Sequence, residues 1–187
     1  MTYYGGKELA ASFRQVRDNT ITIAEEIPED KYGFKPVPDC RSIGQTLVHI
    51  ALGPTFQQHI QSHKISDLKM VNFPELFQKV MAEEAKPRTK AETVAFLKSE
   101  ASKFASFLES LSESFLAETV TMSPGVTPAT KSRFEMVLSP KEHEMHHRGQ
   151  LMTLERMIGL VPHLTRQMLE RMAQMAAAAP GAEVTRG

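Results

Sequence analysis

The sequence predicts an all-α protein: a four-helix bundle with an extra C-terminal helix. Apolar residues recur at three- and four-residue intervals over long stretches, which is typical of helices with one buried face. The strict alternation typical of strands is scarce. The connection between the second and third helices is long enough to run back along the bundle, so it permits these two helices to be parallel.

Size and composition indicate one globular domain. The chain has 187 residues, of which 41% are hydrophobic and 24% charged, values that suit a protein with a substantial core. We assign residues 1–178 to a single helical-bundle domain and residues 179–187 to a loose C-terminal tail. The 22 Lys and Arg residues balance the 22 Asp and Glu residues. This balance argues against nucleic acid or a membrane surface as the partner.

Several features favour a cytoplasmic location. The sequence has no apolar run long enough to cross a bilayer, and its first residues lack the basic start and apolar stretch of a signal peptide. Cys40 is the only cysteine, so an intrachain disulfide cannot form, which fits a reducing compartment. We therefore expect a cytoplasmic protein.

The first two helices have clear boundaries in the sequence. An apolar stripe predicts a helix from Lys7 that ends at Pro28. The second helix is predicted to begin after Ser42, because Ser42 and Gln45 have the spacing of a capping box. Gly53-Pro54 predicts a kink, after which the helix resumes through residues 55–63.

Further along, the patterns predict a short helical piece at 74–83 within the long link, a third helix from Thr89 or Lys90, a short extended piece at 119–122, a fourth helix at about 131–158 that ends at Gly159, and a last helix at 165–178. Pro140 interrupts the fourth helix. We expect one kinked helix there, although a new helix capped by Ser139 is the alternative.

Three of the seven histidines form the candidate functional site. His143 and His147 are four residues apart, so on a helix they share one face, and that face continues through Leu151 toward the core. His49 offers a third ring nitrogen beside the apolar side of the second helix. Because two buried imidazoles are unfavourable unless both are satisfied, we predict that these three histidines bind one divalent metal ion. A hydrogen-bonded pair without metal is the alternative.

The other candidate residues carry weaker signals. We expect His59 and His63 on the surface, His146 in a supporting or solvent-exposed position, and His163 in a loop. Cys40 lies before the second helix, about two to three helical turns from His49. We expect it to be a small buried hydrophobe or a free thiol, not a ligand.

The run from His143 to His147 also matches the His-Glu-x-x-His pattern of zinc proteases, with Glu144 as the general base. The match is weak, because Gly149 stands one residue too early for the extended pattern, and little strand is available to hold a peptide substrate. We expect Glu144 to be a solvated helix charge, one residue off the histidine face.

Two segments carry a family resemblance: 42–50, which contains His49, and 143–151, which contains His143, His147, Arg148, Gly149 and Gln150. Residues 27–36 add a similar link between the first helices. Over most of the chain to about Leu160, the sequence resembles the DinB-like, or bacillithiol-transferase-like, family of metal-binding bundles. The resemblance implies parallel second and third helices, frequent dimers, and a metal ion, usually zinc or nickel, on His49, His143 and His147.

The same resemblance implies roles for the residues after His147. Gly149 would let a neighbouring helix approach closely. Arg148 and Gln150 match family positions, and ion pairing or hydrogen bonding at the helix end is the alternative for both.

Three protein ligands leave a position open on a metal ion, and water or a thiolate could occupy it. The resemblance implies a metal-dependent S-transferase that activates a low-molecular-weight thiol for attack on a small electrophile, as in thiol-dependent transferases and maleylpyruvate isomerases. The alternatives are a non-enzymatic, stress-associated bundle with a structural metal and a metal-dependent hydrolase. We also expect a homodimer, since Met168, Met172 and Met175 suit an irregular interface.

Overall fold

The predicted all-α fold is confirmed by the computed structural model, which describes residues 4–178. In chain order the elements are α1 (Gly6–Glu26), α2 (Ile43–Leu52), α3 (Thr55–Ser62), α4 (Phe73–Glu84), α5 (Lys90–Glu109), α6 (Glu113–Ala117), β1 (Thr119–Thr121), β2 (Thr130–Ser132), α7 (Arg133–Met157) and α8 (His163–Ala177). The bundle consists of α1, α2, α5 and α7. In this part of the chain no helix is both long and apolar enough to cross a bilayer. The predicted tail at 179–187 lies outside the described residues.

Helix starts follow the capping signals in the sequence. The Ser42 side chain accepts a hydrogen bond from the Gln45 N–H, and the Gln45 side chain accepts one from the Ser42 N–H, which confirms the predicted box at the start of α2. Thr89 caps α5 and Ser132 caps α7 in the same way. At Gly53-Pro54, where a kink was predicted, α2 ends and a separate helix, α3, begins at Thr55.

The fourth bundle helix is a single helix with Pro140 inside it, as expected. The extended piece near residue 120 is β1, which pairs antiparallel with β2 in a two-stranded ribbon. The prediction for His163 was wrong, because α8 begins there and not at Thr165. The His163 ring is buried, and its Nε2 donates to Asn19 Oδ1 on α1 at 3.2 Å, which ties α8 to the bundle.

The contacts of α1 show that α2 and α5 are parallel. Near the end of α1, Lys90 at the start of α5 donates to the carbonyl of Ile27, and the short link after α1 starts α2 at the same end. Further back on α1, Arg17 donates to the carbonyls of Ile50 on α2 and Leu97 on α5. Both helices therefore run antiparallel to α1, and the long link with α3 and α4 returns the chain between them.

A buried ion pair lies at the centre of the bundle. The Nε of Arg17 donates to both carboxylate oxygens of Glu144 at 2.9 and 3.0 Å, and the two side chains are 0% and 1% exposed. The remaining guanidinium nitrogens donate to the carbonyls of Leu97 and Ile50, each at 3.1 Å. The expectation that Glu144 is a solvated charge was wrong. A glutamate in the largely polar run 141–148 looks exposed in the sequence, but Arg17 compensates its charge inside the bundle.

Glu155, three turns further along α7, is a second buried carboxyl group. It is 0% exposed, and neither of its oxygens has a hydrogen-bond partner among the described residues. Burial, together with repulsion from Glu26, raises the pKa of Glu155 to about 7. Glu155 therefore holds its proton at pH values where an exposed glutamate is ionised.

We expect Arg17→Ala to lower the free energy of unfolding by about 3–5 kcal/mol, because it leaves the Glu144 carboxylate buried without a counter-charge. Arg14→Ala is the matched control: Arg14 pairs with Glu109 at 2.6 Å, but the two side chains are 43% and 41% exposed. That pair should be worth about 1 kcal/mol at most. Urea denaturation at neutral pH measures both variants. Equal losses would show that the buried pair has no special role in the bundle.

Candidate metal centre

The structure brings the three predicted histidines together. The Nε2 of His143 lies 3.1 Å from the Nε2 of His49 and 3.1 Å from the Nε2 of His147. One nitrogen from each ring lies within 4.8 Å of the other two, and all three residues are half-buried. His49 comes from α2, and the other two lie one turn apart on α7. The three rings form a group that could hold a metal ion.

Gly53 provides the space that the His143 ring occupies. A Cβ atom at Gly53 would lie 3.0 Å from the Nδ1 of His143 and 3.2 Å from the carbonyl oxygen of Ile50. Few real Cβ atoms have contacts this short, so a larger residue would require the ring to shift by a few tenths of an ångström. The sequence indicated Gly53 only as part of a helix kink. The structure shows that the same glycine also admits a candidate ligand.

Two outer hydrogen bonds orient the rings. The Nδ1 of His49 lies 3.1 Å from Glu84 Oε2, and the Nδ1 of His147 lies 2.7 Å from Gln150 Oε1. Both partners are acceptors, so the Nδ1 of each ring donates, and in the neutral ring the lone pair of Nε2 is then directed to the centre. Partners of this kind fix the tautomer and orientation of histidine ligands in metalloproteins.

Glu84 comes from the last turn of α4, in the long link, and the sequence analysis did not single it out. Its other carboxylate oxygen accepts a hydrogen bond from Arg41 Nε at 2.7 Å. Burial alone would raise the pKa of Glu84, but the hydrogen bonds from Arg41 and His49 outweigh it and lower the pKa. The carboxylate therefore stays charged and remains an acceptor for His49. No local motif marks Glu84, because its partner His49 is 35 positions away.

The surroundings keep two of the rings neutral. Burial lowers the pKa of His143 to about 4, and repulsion from His147 and His49 adds to the shift. Burial also lowers the pKa of His147, although the hydrogen bond to Gln150 opposes this. Because a protonated imidazole cannot bind a metal ion, low pKa values leave both nitrogens available as ligands at neutral pH.

The donor set fits a divalent transition metal. Two nitrogens bound tetrahedrally at about 2.0–2.1 Å are roughly 3.3 Å apart, close to the 3.1 Å that separates His143 Nε2 from each of the other two Nε2 atoms. The ligand nitrogens of His49 and His147 lie within 4.8 Å of each other, so a small movement of these rings would complete the set. Imidazole nitrogens suit zinc, nickel and copper better than magnesium or calcium, which prefer oxygen. Among the described residues, no fourth histidine, cysteine or carboxylate belongs to the group.

The residues next to His147 differ in their contacts. Gln150 links two rings, because its Nε2 also donates to His146 Nε2 at 3.1 Å. His146 is exposed, and a supporting or solvent-exposed position was expected for it. Arg148 has no hydrogen bond or ion pair to any described residue. The role suggested for Gly149 was wrong, since nothing lies within 4 Å of a Cβ placed there. Within residues 4–178, no neighbouring helix approaches at that point.

The other weak candidates lie away from the centre. The rings of His59 on α3 and His63 at its C-cap are tilted against each other, with centroids 4.5 Å apart. His63 is exposed, as expected, and His59 is half-buried. Neither joins the three-histidine group. Cys40 is exposed, so the expectation of a buried hydrophobe was wrong and the free thiol is what the structure has.

Cavities reach the centre from two sides. A cavity of about 480 Å³ is lined by His147 and Gln150, by Arg41 and Cys40 from the link before α2, and by apolar side chains including Leu154. A smaller cavity of about 200 Å³ is lined by His49, His143 and the Gly53 backbone, with Phe56, Val80 and Pro140 among its walls. Each of the three histidines therefore lines a cavity that a small molecule could enter.

A family model described as the DinB superfamily matches residues 12–151, a span that contains all three histidines. The chain belongs to the DinB superfamily. The resemblance seen in the sequence is thereby confirmed. No curated protein matches the chain in sequence.

Solved structures share the DinB fold. A DinB-like protein from Bacillus subtilis is similar over 81% of this chain and 92% of its own, with 22% sequence identity and a TM-score of 0.60. An uncharacterised protein from Clostridium difficile 630 is similar over 83% of this chain and 98% of its own, with 12% identity and a TM-score of 0.62. At these identities the likeness shows the fold alone.

We expect Gly53→Ala to weaken metal binding about tenfold, because the added methyl group displaces the His143 ring. The backbone at Gly53 is helical, so alanine itself introduces no strain there. Gly149→Ala is the control, since its methyl group meets open space. It should leave metal affinity unchanged and stabilise α7 by about 1 kcal/mol. Titration of the apoprotein with Zn²⁺ in competition with a chromogenic chelator measures the affinities. Unchanged affinity in Gly53→Ala would contradict the role given to this glycine.

Proposed function

We propose that this chain binds one zinc or nickel ion on His49, His143 and His147 and transfers a low-molecular-weight thiol to a small electrophile. The observation that supports this proposal is the convergence of the Nε2 atoms of His49, His143 and His147, of which His147 lines a cavity of about 480 Å³. A structural metal site usually has a fourth protein ligand, whereas a catalytic site keeps a position for substrate. The access from the cavity favours the catalytic role.

When bound, the metal ion would stabilise the thiol as its thiolate at neutral pH. The chain's own residues hold the three rings in place: Glu84 and Gln150 orient His49 and His147, and Gly53 makes room for His143. In the transfer, a carbon–sulfur bond forms as the bond from that carbon to its leaving group breaks. The thiol proton passes to solvent, which reaches the nitrogens through the cavity.

The position of Glu144 argues against a protease. In the zinc-protease pattern this glutamate is the general base, but here both of its oxygens accept hydrogen bonds from Arg17 inside the bundle. The carboxylate nearest the rings, Glu84, is bound to His49 and Arg41. Thiol transfer would need no such base, because a metal ion held by the three histidines would lower the pKa of the thiol.

We expect one metal ion per chain in the purified protein, and no thiol transfer after chelation or in His49→Ala. His147→Ala should lose most of the metal while its helical content is unchanged, because the bundle is held by other contacts. His63→Ala is the control, since His63 is exposed and outside the group. Elemental analysis, far-UV circular dichroism and a thiol–electrophile assay measure these outcomes.

Two results would change the proposal in different ways. Equal metal content in His147→Ala and the unaltered protein would refute the site itself. A full metal complement, with no rate above background for any common thiol, would leave a non-enzymatic bundle whose metal joins α2 to α7.

We also propose that the chain forms a homodimer in the cytoplasm, with a second copy covering α8. Met168, Met172 and Met175 on this helix are 54–68% exposed, although α8 is amphipathic. Burial of these flexible side chains would stabilise a dimer. Sedimentation at micromolar concentration should give twice the chain mass, and Met172→Lys should shift the protein toward monomer. A monomer in the unaltered protein would contradict this expectation.

A further inference from the structure

At the edge of the larger cavity, Arg41 has hydrogen-bond donors that no described residue uses. Its Nε donates to Glu84 Oε1 at 2.7 Å, and its two terminal amino groups have no partner among the described residues. The side chain is 42% exposed, and it lines the same cavity as His147. A guanidinium with two free amino groups can bind a carboxylate with paired hydrogen bonds.

Glu84 holds this guanidinium close to the histidines. One oxygen of the carboxylate accepts from Arg41, and the other accepts from the Nδ1 of His49 at 3.1 Å. Only one carboxylate and one imidazole ring therefore separate the guanidinium from the Nε2 of His49. A molecule of a few atoms could span this distance, with one end at the nitrogens and the other at Arg41.

The rest of the cavity suits a small, partly apolar molecule. Pro36, Leu154 and Met157 form apolar walls, and Gln150 lies beside His147. Asp39 also lines the cavity and is the opposing charge, but it forms no ion pair with Arg41 in the described structure. The guanidinium thus remains available to an anionic group that enters from solvent.

On the basis of the proposed thiol transfer, we propose that this cavity selects thiols that carry a carboxylate, with the sulfur at the three histidines and the carboxylate at Arg41. The electrophile then enters from the other side, through the smaller cavity beside His143, whose walls include Leu52, Phe56 and Val80. Arg41 is a specificity residue in this arrangement, and Glu84 positions it.

The test compares two thiols that differ in charge, 3-mercaptopropionate and 3-mercaptopropanol, on protein loaded with Co²⁺. Binding is followed by the sulfur-to-cobalt charge-transfer absorption, which reports the metal–sulfur contact without any turnover. Cys40→Ser is used as the background, so that the added thiol is the only sulfhydryl group near the cavity. The unaltered Arg41 should favour the carboxylate thiol about fivefold.

Arg41→Gln should lower the affinity ratio of the carboxylate thiol to the neutral thiol to about the value that the metal charge alone produces. Arg41→Lys should keep part of the ratio, because lysine retains the positive charge. Arg14→Gln is the matched control, because it removes the same charge from a side chain that is 43% exposed and pairs with Glu109 far from the cavity. Its preference should stay at about fivefold. The visible spectrum of the cobalt protein before thiol is added shows whether each variant retains the metal site.

Each contrary outcome has a distinct meaning. If both thiols give the absorption with equal affinity, the carboxylate subsite is wrong and thiol binding stands. If neither thiol gives it, the proposed thiol chemistry fails and this inference fails with it. If Arg41→Gln leaves thiol affinity unchanged but alters the rate ratio between iodoacetate and iodoacetamide, the carboxylate belongs to the electrophile, and the assignment to the thiol is overturned.

Discussion

The buried guanidinium of Arg17 is the interaction on which the arrangement of the bundle depends. From α1 it contacts the Glu144 carboxylate on α7 and main-chain carbonyls on α2 and α5, so a single side chain meets all three other bundle helices. Each of these hydrogen bonds fixes the rotation of one helix about its axis or its position along the bundle. A buried charge tolerates few alternatives, because any displacement leaves a polar group unsatisfied away from water.

The same ion pair determines where the histidines point. With about 100° of rotation per residue, positions one before and three after Glu144 lie on the same side of α7, about 100° and 60° away. His143 and His147 occupy those positions. Because Glu144 is directed at α1, the histidine pair is directed toward α2. The hydrogen bond from Arg17 to the carbonyl of Ile50 likewise fixes the position of α2, at the residue that follows His49.

Much of this arrangement could be predicted from the sequence, because the signals were local. Periodicity and capping pairs predicted the bundle helices, and the spacing of His143 and His147 predicted their shared face. The assignment of Glu144 to solvent failed because its partner is 127 positions away. Glu84 was missed for the same reason, since α4 approaches α2 only after the long link folds back. Such pairings depend on tertiary contacts, which a single sequence does not display.

Chain topology gives the three-histidine group one further property. His49 and His143 are 94 positions apart, whereas His143 and His147 are only four apart. An ion shared by all three would therefore close a loop of about half the chain, and it would lower the conformational entropy of the unfolded state much as a crosslink does. The pair on α7 could already hold an ion weakly in a partly folded chain, and His49 would complete the set when α2 docks. Metal capture and closure of the long loop would then be one thermodynamic event.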